Sequence, residues 1–448
     1  MYFLQCSSKL FFLKELLTHP HICRDWRRCM AVEHMTRGEL ERLQQRKLQK
    51  LLRYAVLHVP FYRNYAQEHH WDIDALSLEQ FPVLDKAAFR SHEAEFISDE
   101  YDRSRLECCH TSGSTGEPFC FYSDPKERTY TYATFWRGLA RAGIRPGDKR
   151  VWVKGIDETA QLPPVARCRR KLWSMINRCL LVDAHFLTVS PEHLARTVEN
   201  IRRYNPVYFH GYAASIAEIA RWVKESGRDA RSLFPSLRAV VSESEKLYPE
   251  QRELFEEVFR VPVYENYGSV EFGMIAQPDT DGNLLLNEDH IVAESTGGDE
   301  EAVITNLDSF AFPFIRYKNG DRIRLGGDQG HALPFRRLNM VLGRMTECLK
   351  LPSGGTLQAF AITSAVYNLS EWIRSYQFIQ TDLEHLKLLV VPCREKLPED
   401  VVRKISAYIH DVSGGTLQTD IEYVTRIPLT KNGKRLFVIS QIDHQSGR

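Results

Sequence analysis

Between residues 124 and 264 the sequence alternates regularly between helix and strand patterns, and this alternation constrains the fold most. Short apolar runs predict strands at 151–155, 207–211, 237–242 and 261–264. Helices are predicted to begin at Asp124 and Ser190, each followed by a proline, and to span 213–225 and 249–259. A strand–helix–strand alternation of this kind predicts an α/β architecture with a substantial parallel sheet.

The C-terminal part of the chain carries a second, smaller pattern. Strands are predicted at 387–391 and 419–424, on either side of a helix that runs from Pro398 to His410. A segment of about 100 residues with its own alternation is typical of a small α+β domain. The sequence therefore predicts a large domain over 1–343, a hinge at 344–347 and a small domain over 348–448.

Composition narrows the class of protein. The 448 residues are 43% hydrophobic and 26% charged, which allows large cores under a charged surface. Basic residues exceed acidic ones by 59 − 58 = 1, which argues against a chain that mainly coats nucleic acid or anionic membranes, although a local patch can exist. No apolar run is long enough to span a membrane, and ten cysteines without a C-x-x-C pair indicate reduced thiols. These features predict a cytoplasmic globular enzyme without membrane insertion.

The most informative short motif is the loop that follows His110. Two glycines and four hydroxyl side chains occur together in Thr111, Ser112, Gly113, Ser114, Thr115 and Gly116. Backbone N–H groups and hydroxyls in such a loop can surround an oligophosphate. The loop does not have the spacing of a Walker A motif, and an ordinary Gly/Ser surface turn is the alternative reading.

This loop, TSGSTGEP at 111–118, resembles the phosphate loop of the adenylate-forming acyl- and aryl-CoA ligase superfamily. Four similar motifs follow in the superfamily's order, at Tyr267 to Glu271, Arg316 to Asp321, Gly343-Arg344 and Pro428 to Lys434. Segments 59–65, 81–86, 205–212 and LLNEDH at 285–290 are similar to phenylacetate-CoA ligases and to capsule-polysaccharide biosynthesis proteins. The resemblance implies a large adenylate-forming domain and a small, mobile C-terminal domain.

The resemblance also implies roles for individual residues around ATP. Residues 111–116 are expected to hold the β- and γ-phosphates, although Phe119 stands where most relatives have a lysine. Glu271 is expected to bind Mg²⁺ and to serve in catalysis, because a hard cation on phosphates prefers carboxylate oxygen. Tyr267 is expected to stack on the adenine, and Gly268 to let the backbone approach the nucleotide closely.

Further residues complete the implied site. Ser244 and Glu245 are expected to line the other edge of the adenine, although Glu243 departs from the relatives' usual glycine. Asp321 is expected to accept hydrogen bonds from the ribose hydroxyls, and Arg344 to reach the ribose and phosphates. Lys434 is the expected catalytic residue, whose ammonium bridges the substrate carboxylate and the α-phosphate.

An aromatic-rich acyl pocket is also expected, bordered by His110, Tyr208, His210, Tyr212, Tyr264 and Glu294. The alternative is that these aromatic residues belong to an ordinary core. The sequence does not identify the carboxylic acid, because the selectivity of a pocket depends on side-chain shapes.

Three functions remain open from the sequence. The first is an ATP- and Mg²⁺-dependent carboxylate–CoA ligase that forms AMP and pyrophosphate. The second adenylates the acid but passes the acyl group to an amine, a hydroxyl or a carrier protein, for example on a sugar in polysaccharide biosynthesis. The third is a nucleotide-binding protein without catalysis, against which the intact Glu271, Asp321 and Lys434 argue.

Overall fold

Helices and strands alternate through much of the computed structural model. It describes residues 8–19, 21–111, 119–154, 163–183, 191–244, 246–297, 300–328, 330–344, 348–352, 356–358, 362–366, 369, 372–428 and 436–442. The helices are α1 (Lys9–Thr18), α2 (Ile22–Val32), α3 (Arg37–His58), α4 (Pro60–Glu68), α5 (Lys86–Ser91), α6 (Arg128–Arg141), α7 (Pro164–Ile176), α8 (Pro191–Tyr204), α9 (Ala213–Glu225), α10 (Ala230–Leu233), α11 (Pro249–Phe259) and α12 (Glu399–Val412).

The first strands are β1 (Glu107–Thr111), β2 (Phe119–Ser123), β3 (Arg150–Lys154), β4 (Cys179–Asp183), β5 (Tyr208–Gly211), β6 (Ala239–Ser242), β7 (Val263–Glu265), β8 (Tyr267–Ser269), β9 (Gly273–Pro278) and β10 (Leu284–Leu286). They are followed by β11 (Ile291–Ser295), β12 (Glu301–Asn306), β13 (Tyr317–Leu325), β14 (Leu338–Arg344), β15 (Cys348–Lys350), β16 (Thr356–Gln358), β17 (Ile373–Gln380), β18 (His385–Pro392), β19 (Gln418–Tyr423) and β20 (Val438–Ser440).

A five-stranded parallel sheet forms the middle of the large domain. Its order is β4-β3-β5-β6-β7, and every neighbouring pair is parallel. All residues of β5 and β6 are buried, as expected when helices cover both faces of a sheet. The predicted α/β architecture is confirmed, and α9 and α11 have the predicted bounds.

The structure differs from the sequence prediction at one helix start and at one strand. Asp124 and Pro125 form a turn, in which the Asp124 carboxylate accepts a hydrogen bond from the Lys126 backbone N–H at 2.9 Å, and the helix begins only at Arg128. The edge strand β4 and the preceding α7 were not predicted from the sequence.

After the parallel sheet the chain forms antiparallel sheets. The alternation of helix and strand patterns did not predict these antiparallel sheets. Strands β8 to β10 form a three-stranded sheet in the order β10-β9-β8, and β11 to β14 form a four-stranded sheet in chain order. The hairpin of β1 and β2, which flanks residues 112–118, packs on the same core. The ring centroids of Phe121 and Phe314 are 5.3 Å apart, and those of Phe314 and Tyr317 are 5.2 Å apart. Ring contacts therefore join β2 to β13.

The C-terminal region is a small α+β domain, as predicted. Its sheet has the order β19-β18-β17-β20, and α12 covers it with the buried residues Val401, Ile405 and Ile409. Tyr248 of the large domain packs against Phe437, with ring centroids 4.7 Å apart. The domain bounds and the hinge at 344–347 stay predictions, and residues 345–347 lie outside the described residues.

Four consecutive polar residues, Asn287 to His290, are buried between the N-terminal helices and the antiparallel strands; we call them the NEDH segment. The Arg137 guanidinium donates to the two Asp289 carboxylate oxygens at 2.8 and 2.9 Å, and neither side chain is exposed. Burial alone would raise the pKa of the Asp289 carboxyl, but the charge and hydrogen bonds of Arg137, together with the Tyr130 hydroxyl, lower it to about 2. The NEDH segment thus contains a desolvated ion pair.

The other charged residues of the NEDH segment are paired as well. Glu288 accepts hydrogen bonds from the guanidinium groups of Arg37 in α3 and Arg336 before β14. His290 Nδ1 lies 2.7 Å from Asp308 Oδ2, and the same carboxylate accepts from Lys47 Nζ at 2.7 Å. Three basic residues from the N-terminal half of the chain therefore converge on this segment and its neighbour Asp308.

We predict that Arg137→Met destabilises the protein strongly, because it leaves the Asp289 carboxylate buried without its cation. The expected loss is about 3–5 kcal/mol in the free energy of unfolding, measured by urea denaturation at neutral pH. Because folding lowers the pKa of Asp289, its stabilisation is complete above about pH 4 and declines as the pH falls toward about 2.

The matched control is Arg53→Met, which breaks an ion pair with Asp74 whose side chains are 57% and 82% exposed. Its expected effect is below about 1 kcal/mol. Equal effects of the two substitutions would contradict a special role for the buried pair.

Candidate active site

Two carboxylates predicted at the ATP site, Glu271 as a Mg²⁺ ligand and Asp321 as a ribose contact, are linked to tyrosines from each other's motif. The Tyr267 hydroxyl donates to Asp321 Oδ2 at 2.9 Å, and the Tyr317 hydroxyl lies 3.4 Å from Glu271 Oε1. In both motifs the acidic residue follows the tyrosine by four positions. The two contacts therefore cross between the β8 region and β13, and we call them the crossed tyrosine–carboxylate contacts.

Asn319 completes the environment of Asp321. Its side-chain amide donates to Asp321 Oδ2 at 2.9 Å and to the Tyr267 hydroxyl oxygen at 3.0 Å. Its side-chain oxygen accepts from the Asp321 backbone N–H at 3.0 Å, so it also holds the turn before the carboxylate. Gly320 has φ +80, a conformation that favours glycine and lets the chain turn between these two residues. Two side chains and a turn thus orient the Asp321 carboxylate.

Tyr267 is only 8% exposed and belongs to the core cluster that also contains Phe272 and Tyr317. Its hydroxyl is occupied by Asp321 and Asn319. The structure therefore fixes the ring position firmly, while its stacking on adenine stays a prediction. Glu271 is half-buried, and its backbone carbonyl lies 3.4 Å from the Asn306 side-chain nitrogen.

Gly268 has a structural reason to be glycine that the sequence did not reveal. A Cβ atom at this position would lie 2.3 Å from the Gly273 carbonyl oxygen in the paired strand β9. Real Cβ atoms do not approach a backbone atom so closely, so the β8–β9 pair requires the missing side chain. Close approach to the nucleotide stays a separate prediction for the same residue.

The carboxyl edge of the parallel sheet lies next to β8, because β7 ends at Glu265 and β8 begins two residues later. Ligands of open α/β sheets bind at this edge. Ser242 ends β6, and its carbonyl accepts from the Asn266 backbone N–H at 2.9 Å.

Ser244, which is expected at the edge of the adenine, is exposed and has φ +66, a left-handed backbone conformation. Burial raises the pKa of Glu265, whose carboxylate accepts from the Leu247 backbone N–H at 3.3 Å.

Glu243, where the resemblance predicts a glycine, lies beside His210, a residue of the predicted acyl pocket. Its Oε2 lies 2.8 Å from Nε2 of His210, which is 3% exposed. Neither ring nitrogen of His210 has a hydrogen bond of good geometry among the described residues. The His210 ring lies beside Trp152, with centroids 6.1 Å apart and planes within 20°, and near Phe135 at 5.6 Å. A buried imidazole, a carboxylate and two aromatic rings thus meet at the ends of β3, β5 and β6.

Two other residues expected at the acyl pocket have structural partners. Glu294 forms two hydrogen bonds with the Arg316 guanidinium, at 3.0 and 3.2 Å. Arg316 also donates to the Phe81 carbonyl, so this pair ties β11 to the segment before α5. Tyr208 has no exposed surface and lies in a core cluster with Trp136, and burial raises its pKa to about 12. These contacts give Glu294 and Tyr208 structural roles, and their place at an acyl pocket stays a prediction.

Several predicted residues are described only in part. Thr111 and Arg344 end β1 and β14, and the backbone of Arg344 pairs with that of Asp321 in the sheet. Their side chains lie outside the described part of the structure, as do Ser112, Gly113, Ser114, Thr115, Gly116, Glu245 and Lys434. The structure thus brings together Tyr267, Glu271, Asp321 and the backbone of Arg344.

Three residues of this site were not assigned from the sequence: Glu243, Asn319 and Tyr317. Asn319 and Tyr317 lie inside the motif that identified Asp321, so the motif itself was the available signal. Glu243 departs from the glycine that the resemblance predicts, but its partner His210 is 33 positions away and no local pattern indicates the pair.

Comparison with known proteins gives three findings. Residues 349–441 match the family model described as the CapK C-terminal domain. The chain is 22% identical to Protein CapK of Staphylococcus aureus over 422 residues, which cover 90% of each chain. A solved 2-hydroxyisobutyryl-CoA ligase in its post-adenylation state, with an acyl-AMP bound, is 20% identical to this chain and has a TM-score of 0.70. The match covers 91% of this chain and 91% of that chain.

The same ligase in its thioesterification state, in complex with 2-HIB-AMP and CoA, has a TM-score of 0.53 at 20% identity, with 92% of this chain and 91% of that chain covered. These matches confirm the predicted resemblance to adenylate-forming ligases at the level of the fold. At such low identity the solved structures establish the fold, and the fold is that of adenylate-forming ligases.

We predict that Gly268→Ala lowers the free energy of unfolding by about 1–3 kcal/mol, because its Cβ would overlap the Gly273 carbonyl. Gly327→Ala is the control, since a Cβ there meets no atom within 4 Å. Chemical denaturation of both variants measures the difference. Unchanged stability of Gly268→Ala would contradict the structural explanation.

Proposed function

We propose that the protein uses ATP to activate a carboxylic acid as an acyl-adenylate, releases pyrophosphate, and transfers the acyl group to CoA. The crossed tyrosine–carboxylate contacts carry this proposal. They link Glu271 and Asp321, which belong to two separate motifs, to the same pair of neighbouring segments. Along β13, Tyr317 and Asp321 are four residues apart, at most about 13 Å, so one nucleotide can extend between the two carboxylates.

The proposed reaction begins when a carboxylate oxygen attacks the α-phosphorus of ATP. The bond from this phosphorus to the leaving pyrophosphate breaks, and the acyl-adenylate forms. Charge develops on the α-phosphoryl oxygens and on pyrophosphate, so the protein must supply cations and aligned donors. Lys434 and the donors of residues 111–116 would supply them. The CoA thiolate then attacks the carbonyl carbon, and AMP leaves.

Glu271 fits the proposed metal site by its chemistry, because it is a half-buried carboxylate and Mg²⁺ prefers hard oxygen ligands. When bound, Mg²⁺ would neutralise phosphate charge. Asp321 would receive the ribose hydroxyls as donors, since Tyr267 and Asn319 already orient its carboxylate. The Glu243–His210 contact and the ring of Trp152 would border the acyl group.

One observation favours a different acceptor in the second step. The superfamily resemblance assigns the C-terminal domain a part in thioester formation, and here this region matches the CapK C-terminal domain. The alternative proposal is therefore that the acyl-adenylate passes to an amine, a hydroxyl or a carrier protein. Both proposals share the first half-reaction and differ only in the acceptor. Localisation in the cytoplasm stays part of the proposal.

We predict that the protein exchanges labelled pyrophosphate into ATP only when Mg²⁺ and a suitable acid are present. Panels of aryl, fatty and amino acids would identify the acid. Glu271→Gln and Lys434→Ala should each lower the exchange rate by about 100-fold or more, because each removes charge stabilisation at the phosphates. Lys404→Ala is the control, because this lysine is 74% exposed on α12.

Exchange that survives in Lys434→Ala as well as in the control would contradict the proposed catalytic lysine. Measurable ATP binding without exchange for any acid would favour the non-catalytic function. Intact secondary structure in each variant, measured by circular dichroism, separates loss of chemistry from loss of folding.

We further predict that Lys434→Ala still converts supplied acyl-AMP and CoA to the thioester at nearly the wild-type rate. The resemblance assigns this lysine to adenylation alone, after which the small domain is expected to rotate. Thioester formation is followed by chromatography. No thioester from wild-type protein and acyl-AMP, with amide or ester formed on an added amine or sugar instead, would support the alternative acceptor.

A further inference from the structure

Helices α1 and α7 lie next to each other and turn apolar side chains toward solvent. Among the 13 residues of α7, all of them described, none is buried. A surface helix normally directs its apolar stripe into the core. Helix α7 reverses this pattern, and α1 exposes leucines in addition to packing Phe11 into a core. Exposed apolar faces on two adjacent helices indicate that these faces contact something other than water.

The outer face of α7 follows helical spacing. Val165, Cys168, Leu172 and Met175 recur at intervals of three and four residues, which places them on one side of the helix. All four are exposed, with Val165 at 74% and Met175 at 66%. Trp173, at the border of this face, is 36% exposed.

The outer face of α1 has the same character. Leu10, Leu13 and Leu17 have the same spacing and are exposed, Leu17 at 77%, while Phe11 and Glu15 face inward and are buried. With the exposed face of α7, these leucines form what we call the α1–α7 surface, defined by Leu10, Leu13, Leu17, Val165, Cys168, Leu172 and Met175.

Basic residues accompany this apolar surface. Helix α7 contains Arg167, Arg169, Arg170 and Lys171 and no acidic residue, although the whole chain has a net charge of only +1. Lys9 and Lys14 lie on either side of the α1 leucines, and the one acidic residue of α1, Glu15, is buried and paired with Lys14. Apolar side chains bordered by lysine and arginine are typical of helices that lie in the surface of an anionic bilayer.

A cavity of about 430 Å³ borders the same surface. It is lined by the basic residues Lys149, Lys171 and Arg178, by Met175 of the apolar face and by Tyr204, with no acidic side chain among its described lining residues. Positive charge therefore extends from α7 into the cavity beside its C-terminal end. This charge supports binding of phosphate-bearing head groups.

We propose that the α1–α7 surface binds the face of an anionic phospholipid membrane. No helix among the described residues is long and apolar enough to cross a membrane, so the contact would be peripheral. A second copy of this chain fits less well, because a symmetric contact would bring the arginines of α7 against their own copies. This proposal does not rest on the proposed adenylation.

The test is flotation of the full-length protein with lipid vesicles. Vesicles of phosphatidylcholine with about 30% phosphatidylglycerol should bind at least about ten-fold more protein than phosphatidylcholine alone, and about 0.5 M salt should reverse most of the difference. Leu13→Gln/Leu17→Gln/Leu172→Gln and Arg167→Gln/Arg169→Gln/Lys171→Gln should each lower binding by about ten-fold.

Matched controls change exposed residues of the same types elsewhere. Ile73→Gln/Val83→Gln/Leu383→Gln controls for lost apolar surface, and Arg53→Gln/Arg105→Gln/Lys404→Gln for lost charge. Binding that is absent, insensitive to anionic lipid, or retained in both test variants would overturn the proposal. Light scattering gives a further contrary outcome: a dimer that the leucine variant converts to monomer, without vesicle binding, would assign the surface to a second copy.

Discussion

Two side chains without solvent exposure, Arg137 and Asp289, join the N-terminal helices to the antiparallel strands. Arg137 also donates to the Asn287 side-chain oxygen at 2.8 Å, and Asn287 donates to the Met274 carbonyl at 2.9 Å. Met274 pairs with Gly268 in the neighbouring strand, beside Tyr267. A short series of contacts thus connects the buried ion pair to the candidate site. Such a pair is costly to desolvate, but it specifies one arrangement of its surroundings, because any other leaves a charge without a partner.

Contacts between distant segments also orient the carboxylates of the candidate site, which is less buried. Each tyrosine holds the carboxylate of the other motif, and Asn319 adds hydrogen bonds to one of these contacts. The two carboxylates expected at the ATP site are therefore oriented by neighbouring side chains of the protein. Positioning of this kind before the ligand arrives reduces the reorganisation that a charged transition state requires. Because Tyr267 lies in β8, the pairing of β8 with β9 also helps to position the site, and this pairing requires Gly268.

The sequence predicted what depends on local pattern. Helices α9 and α11 have the predicted bounds because their signals are local: Gly227 follows α9 closely with φ +68, and Pro249 is the first residue of α11. The buried charges could not be predicted in this way, since Arg137 and Asp289 are 152 positions apart. LLNEDH at 285–290 was noticed only as a family resemblance, whereas the structure shows why the segment tolerates four polar residues in a core. The ion pair of Glu294 with Arg316 was likewise not predicted, because the two residues are 22 positions apart.

The central claim is that a carboxylate oxygen attacks the α-phosphorus of ATP at this site. The most direct test uses an acid labelled with a heavy oxygen isotope in its carboxylate, chosen from those that support pyrophosphate exchange, and follows the label by mass spectrometry after transfer to the acceptor. Adenylation predicts that one labelled oxygen remains in AMP, while pyrophosphate stays unlabelled. Label in inorganic phosphate together with ADP, or AMP without label, would contradict the account.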